Sequence, residues 1–338
     1  MTMPVSYSEG FLVRIPFHMV WLATDTCNAS CLHCSSSSSM RSPDELSTRE
    51  ICRVVDEMSD WGVVDLAVSG GEPLLRGDIF EVLQHIRLCG LSAGVGSNGG
   101  KLSPVQARKL GDSGINRFQV SLDGLEDQHD TLRRWPGLFQ TAVKTIRQAS
   151  EAGLRVHVCC TINKLNHLHL ERFTKFVATL PVARLNLSRF VPTGRGTSQL
   201  DLSKDEWHTV VAQCIALRSA FQGRLDIVSH LAQQILVDSD LAELPGFIGC
   251  QAGIGQGCLT ANGTILPCVL LPVPVGNIRD GSFREIWLNS PIINNLHDRA
   301  RFDRKCSQCS VVSRCGGCRA VAYANTGDYL AADSRCWL

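Results

Sequence analysis

The chain has 338 residues, enough for one large α/β core with a smaller unit attached. Its 33 Lys plus Arg against 32 Asp plus Glu leave a formal net charge of +1, without the basic stripe of a nucleic-acid binder or an acidic tail. The opening MTMPVSYSEGFLVRIPFHMV lacks a basic segment followed by an apolar one, and no apolar run reaches bilayer length, so a cytoplasmic protein with no membrane or nucleic-acid partner is expected.

Sixteen cysteines in such a chain point to metal binding rather than disulfides, because the cytosol keeps thiols reduced. Residues 1–15 read as an N-terminal extension, and 17–23 as an apolar strand that runs into Cys27-x3-Cys31-x2-Cys34. Three thiolates on one loop can hold a 4Fe-4S cubane and leave its fourth iron open to chemistry. Zinc is the alternative, and it lacks a nearby fourth ligand unless His33 turns inward. Ser47-Thr-Arg-Glu50 matches a capping box ahead of Ile51, Val54, Val55 and Met58 at helical spacing, predicting a helix over 48–60. A strand at 63–68 ends in Ser69-Gly-Gly-Glu-Pro73. Helices at 78–89, 104–111, 138–151 and 166–179 then alternate with strands at 92–96, 116–122, 155–162 and 184–190. Such βα units predict a parallel sheet with right-handed crossovers, curved or partly closed as a barrel, whose strand-end loops converge on one face. A helix at 203–221 and a mixed stretch to residue 245 lead to a cysteine-rich tail.

The strand ends carry small and polar residues. Gly70 and Gly71 let backbone approach a ligand, and Glu72 can accept from an ammonium group. Turn chemistry alone accounts for Ser97-Asn98-Gly99 and Ser121-Leu-Asp123-Gly124. Together with the cysteine loop, these motifs in this order resemble the radical S-adenosylmethionine (radical SAM) family over residues 15–200. That resemblance implies an α/β fold, a partial (β/α)6 TIM-like barrel over 16–200, with a helical bridge at 201–245. It implies a 4Fe-4S cluster on Cys27, Cys31 and Cys34. S-adenosylmethionine would be held by Gly70, Gly71 and Glu72 at its amino group and by Asn98, Ser121 and Asp123 at its ribose and methionine parts. Arg133 in His129-Asp-Thr-Leu-Arg133, or its neighbour Arg134, would hold the carboxylate through its planar fork.

The tail reads Cys250-x7-Cys258-x9-Cys268, then Cys306-x2-Cys309-x5-Cys315-x2-Cys318, then Cys336. Eight thiols are the number two further cubanes require, although Cys-x2-Cys pairs also suit structural zinc. With four residues between Gly263 and Cys268, the pattern resembles the SPASM extension of radical SAM enzymes. The resemblance implies an auxiliary-cluster domain at 246–338, with Cys250, Cys258, Cys268 and Cys318 on one cluster and Cys306, Cys309, Cys315 and Cys336 on the other. Gly316-Gly317 supplies two residues where the common pattern has three. Phe283, Ile286 and Trp287 predict a single packing helix across 278–296.

A member of that family cleaves S-adenosylmethionine reductively to a 5′-deoxyadenosyl radical, which abstracts hydrogen from an unactivated carbon; the cofactor carries the chemistry and the protein aims it. Three 4Fe-4S clusters, one binding S-adenosylmethionine and two auxiliary, are therefore expected. The expected substrate is a ribosomally made peptide undergoing crosslinking, thioether formation, dehydrogenation or decarboxylation. A flavodoxin- or ferredoxin-type electron donor and a separate leader-peptide-binding protein are the expected partners. The alternative substrate is a small molecule: a tetrapyrrole losing propionate carboxylates, or an antibiotic sugar or nucleoside. Val191-Pro-Thr-Gly-Arg-Gly196 and Cys315-Gly-Gly-Cys-Arg-Ala320 look like stretches found in both tetrapyrrole and peptide relatives. A zinc-binding interaction module is the outside alternative. Cys159 and Cys160 lie on the fifth strand, where alternation turns one inward. Packing is the ordinary use of such a thiol, and returning hydrogen to a substrate radical, as an epimerase would, is the catalytic one.

Overall fold

A computed structural model of the chain describes residues 14–229 and 231–338, so nearly all of the expected N-terminal extension lies outside the described residues. Ten strands form one sheet: β1 His18–Leu22, β2 Asp65–Ser69, β3 Ser92–Ser97, β4 Arg117–Ser121, β5 Val156–Ile162, β6 Arg184–Arg189, β7 Asp226–Ser229, β8 Gln256–Leu259, β9 Thr264–Leu266 and β10 Gly276–Asn277. Their order is β10-β9-β8-β1-β2-β3-β4-β5-β6-β7. From β8 to β7 every pairing is parallel, whereas β9 and β10 add antiparallel at the β8 edge. This is the partial barrel expected, widened by one parallel strand at each edge.

Helices cross between the strands: α1 Thr48–Trp61, α2 Ile79–Leu88, α3 Pro104–Asp112, α4 Glu126–Arg133, α5 Leu138–Glu151, α6 Leu170–Val177 and α7 Lys204–Ala220. Ser47 and Glu50 cap α1 reciprocally, and Ser103/Gln106 and Ser203/Glu206 do the same for α3 and α7. Alternate strand residues such as Trp21, Val68, Phe118 and Leu187 face these helices in one fully buried core. The opposite residues, Ala67, Gln119, Cys159 and Asn186 among them, line the inner face of the sheet. No helix among the described residues is long and apolar enough to cross a membrane.

Two elements differ from expectation. The segment Glu126–Arg133 is helical although its sequence EDQHDTLR offers no apolar period; only His129, Leu132 and Arg133 are buried, and what they bury is largely polar. The expected helix over 278–296 is two helices, α8 Phe283–Asn289 and α9 Pro291–His297. Ser290 ends the first and caps the second, and Pro291 cannot continue a helix but suits the first turn of a new one. The tail continues the same sheet: β8 pairs with β1, bringing Cys258 beside Val20.

Past these come the short helices α10 Arg304–Ser307 and α11 Arg319–Thr326. Trp287 of α8 is fully buried against the sheet, where a Cβ added at Gly257 would lie 2.6 Å from its ring. Replacing Trp287 with Ala removes this contact and should cost about 3–5 kcal/mol, read as a lower unfolding midpoint with the α/β circular-dichroism spectrum retained.

Candidate active site and metal centres

The carboxyl ends of β1 to β6 share one side of the sheet, and the cysteine loop leaves the first of them. The loop is folded back on itself: Cys27 N–H donates to Ser39 (3.1 Å) and Ser39 N–H to Asp25 (2.8 Å). From the end of β6, Arg195 clamps it, donating from its backbone to Cys34 O (2.9 Å) and from its guanidinium to Cys31 O (3.1 Å) and Ser38 O (2.7 Å). Gly194 makes that approach feasible, since at φ +60° a Cβ would sit 2.4 Å from the carbonyl oxygens of Cys34 and Ser35. Burial raises the Cys27 and Cys31 thiols. Cys34 is also pushed up by burial, but the Ser36 hydroxyl, backbone N–H groups and Arg195 bring it below the usual thiol range. A loop with three thiols close enough to feel one another's charge suits an iron–sulfur cluster.

Gly70 and Gly71 follow β2, and the close approach they permit is to protein backbone. A Cβ at Gly70 would lie 2.8 Å from Thr24 O, and one at Gly71 would lie 2.1 Å from Thr26 O. Gly71 and Glu72 N–H groups donate to Thr24 O and Thr26 O, each at 2.8 Å. Glu72 is thereby buried beside the cysteine loop. Its Oε2 accepts from Asn98 N–H (2.8 Å) and the Ser97 hydroxyl (3.1 Å). Burial pushes its carboxyl up to about 7 despite those donors, so it is a carboxylate that a nearby ammonium group would stabilise. Asn98 spends its side chain on Asn28 (2.7 Å) and on Gly100 N–H (2.8 Å).

Asp123 and Arg133 meet each other. The fully buried Asp123 accepts from Arg133 Nε (2.7 Å) and Nη2 (2.6 Å) on one oxygen and from Thr161 N–H (2.8 Å) on the other. His33 lies 3.4 Å away. Burial alone would raise this carboxyl, yet Arg133 and His33 hold it well below the carboxylate range. Arg133 Nη1 faces Cys31 Sγ at 3.8 Å, so the guanidinium lies between the cysteine loop and Asp123. Both carboxylate oxygens of Asp123 are thus engaged within the protein. Ser121 ends β4 in register with Cys159. Cys159 lies on the inner face, 3.6 Å from Ser188 Oγ, its thiol raised to about 11 by burial. Cys160 points the other way, into the helix-facing core, with no exposed surface.

The tail thiols gather in two groups. Cys268 is raised to about 12 by burial and further by Cys250 and Cys318, and Cys258 is raised by burial and by Cys268. Cys306, Cys309, Cys315 and Cys336 line a single cavity of about 300 Å³ together with Lys305 and Asp333. Gly316 and Gly317 separate the groups: both have positive φ (70° and 56°), a backbone that turns Cys315 to one set and Cys318 toward Cys250 and Cys268. Cys250 N–H donates to Cys315 O (3.0 Å), which ties the two sets together. The chain's motifs do not announce Asp333, which lies fully buried between them. It accepts from Arg189 Nη1 (2.9 Å), Cys318 N–H (2.9 Å) and Gln233 Nε2 (2.5 Å). Its one outward signal in sequence is an acidic residue three positions before Cys336.

Residues 21–178 match the radical SAM superfamily and residues 250–316 the SPASM iron–sulfur cluster-binding domain. An AdoMet-dependent heme synthase of Methanosarcina barkeri is 31% identical over 96% of this chain and 97% of its own length. The chain belongs to the radical SAM superfamily. It is also similar to the mycofactocin maturase MftC of Mycobacterium ulcerans, 28% identical over 91% of this chain and 84% of that protein. In fold it is similar to the S-adenosylmethionine-bound SuiB of Streptococcus suis, with a TM-score of 0.80 over 96% of this chain and 78% of the other at 16% identity. This is accordingly a radical SAM enzyme with a SPASM domain, and its cofactors are S-adenosylmethionine and 4Fe-4S clusters.

Gly71→Ala should displace the Thr24–Thr26 backbone on which the cysteine loop stands. We expect anaerobically reconstituted G71A to hold fewer irons per chain than wild type and to bind S-adenosylmethionine at least tenfold more weakly, about 1.4 kcal/mol, by metal analysis and equilibrium dialysis.

Proposed function

We propose that this radical SAM enzyme oxidises an iron–tetrapyrrole, converting propionate side chains to vinyl groups. The observation that carries this reading is the 31% identity, across nearly the whole of both chains, with a relative named for heme synthesis. Cys27, Cys31 and Cys34 hold the cluster that binds S-adenosylmethionine. Cys250, Cys258, Cys268 and Cys318 hold one auxiliary cluster, and Cys306, Cys309, Cys315 and Cys336 the other. We read residues 16–200 as the barrel, 201–245 as the bridge and 246–338 as the auxiliary-cluster domain. When bound, these groups supply a carbon radical able to take hydrogen from an unactivated carbon and one-electron acceptors close to it.

The chain's own residues then bind and orient. Glu72, flanked by Gly70 and Gly71, accepts from the methionine ammonium, and Arg133 neutralises the carboxylate on the side facing Cys31. Asp123 fixes Arg133 and the start of the β5 loop, and Asn98 and Ser121 border the same space. Propionate-to-vinyl conversion breaks one C–H and one C–C bond, releases CO2 and removes two electrons. One electron leaves with the abstracted hydrogen atom and the other goes to an acceptor. No hydrogen returns to the substrate, so Cys159 acts as a wall of the cavity. A flavodoxin- or ferredoxin-type donor supplies the reducing electron, and a cytoplasmic location suits the reduced thiols.

A second reading keeps a ribosomal peptide as substrate, with a separate leader-binding protein, and it rests on the 28% identity to mycofactocin maturases. Anaerobic incubation with S-adenosylmethionine, reductant and either iron–coproporphyrin or a precursor peptide separates the two. We expect the porphyrin to stimulate 5′-deoxyadenosine release and to lose CO2 and two hydrogens per propionate. Stimulation by the peptide alone would move the assignment to the second reading. Because Glu72 must ionise to meet an ammonium group, S-adenosylmethionine should bind the reconstituted enzyme more tightly as pH rises through about 7. Calorimetric titration of Glu72→Gln should give weaker binding without that rise.

A further inference from the structure

On the outer side of the barrel, α1 and α2 bring three unlike donors together. Asp56 lies midway along α1, while His85 and Cys89 stand one turn apart at the carboxyl end of α2, and their ligand atoms all lie within 4.8 Å of one another. His85 Nε2 is 2.7 Å from Asp56 Oδ1, Cys89 Sγ is 3.2 Å from the same oxygen and 3.5 Å from His85 Nε2. We infer that Asp56, His85 and Cys89 form a binding site for zinc, independent of the iron–sulfur centres, that staples α1 to α2.

Zinc takes sulfur at about 2.3 Å and nitrogen or oxygen at about 2.0–2.2 Å, which in a tetrahedron separates the donors by about 3.3–3.6 Å. The two distances to sulfur already match that figure to within a few tenths of an ångström. The His–Asp contact is a hydrogen bond that opens by about 0.7 Å to admit the ion. One imidazole, one thiol and one carboxylate suit zinc and are a poor set for calcium or magnesium, which prefer all-oxygen shells. The site is also held in place from behind, because the Ser59 hydroxyl of α1 donates to Cys89 O at 2.6 Å and pins the end of α2. Water completes the shell, since Asp56 is exposed and His85 half-buried. Without an ion the same residues are a surface hydrogen-bonded pair with a thiol beside it, which contributes at most about 1 kcal/mol.

Cys89 precedes β3, so the site lies at the end of the barrel opposite the strand-end loops, and its loading can be read apart from theirs. Cluster-reconstituted enzyme, cleared of loose metal with a chelator and then dialysed against Zn2+, should hold one zinc per chain. The variants His85→Ala/Cys89→Ala and Asp56→Ala should hold almost none, with iron and sulfide contents equal to wild type. Equal zinc in wild type and both variants, or none in wild type, would overturn the assignment.

Discussion

The active side of this enzyme depends on one backbone contact, that of Gly70–Glu72 against Thr24–Thr26. A Cβ at Gly71 would come within 2.1 Å of Thr26 O, so no other residue fits without moving the chain. The contact locks the end of β2 to the root of the cysteine loop through two hydrogen bonds of 2.8 Å. It also buries Glu72 close enough to Cys27 that the carboxylate helps to raise that thiol. The loop is gripped from its far side by Gly194 and Arg195, again with a glycine where a side chain would strike carbonyl oxygens. The cysteines are therefore positioned by main chain packed on main chain, a tighter constraint than side-chain contacts provide.

Buried charge is the second organising theme. Each cysteine-rich region contains a buried carboxylate paired with a buried arginine: Asp123 with Arg133 beside Cys31, and Asp333 with Arg189 beside Cys318. Such pairs add little net stability, but removing one partner leaves an uncompensated charge and costs about 3–5 kcal/mol. Both carboxylates also accept backbone N–H groups, Thr161 for one and Cys318 and Arg335 for the other. Each pair thus ties a strand end to a cysteine-bearing segment.

Much of this was legible in the chain. A capping box and apolar spacing placed α1 to within a residue, the alternation of strands and helices placed α3 as closely, and the cysteine spacing with Gly-Gly-Glu carried the family. The pairing of Asp123 with Arg133 was not legible, because ten residues of polar sequence give no sign that they fold into a helix aiming one residue at the other. The role of the glycine pair was legible only in part: small residues signal a close approach, but not whether backbone or ligand fills it. Asp333 looks like any solvated loop acid until Arg189, 144 residues earlier, is brought to it by the sheet. β7 and β8, with four residues each, are too short to announce themselves by alternation.

The pairing of β8 with β1 has a consequence for how the protein comes into being. During synthesis β1 can pair with β2 early, but its other edge has no partner until residues 256–259 leave the ribosome. For most of translation the first strand therefore presents an open row of N–H and C=O groups beside a loop bearing three thiols. Closing that edge is a long-range event, and such contacts form slowly because a large loop must first be ordered. The same strand pairing that covers this edge delivers Cys258 to its place beside Val20. A chain that stops short of residue 256 therefore leaves the outer edge of its first strand open.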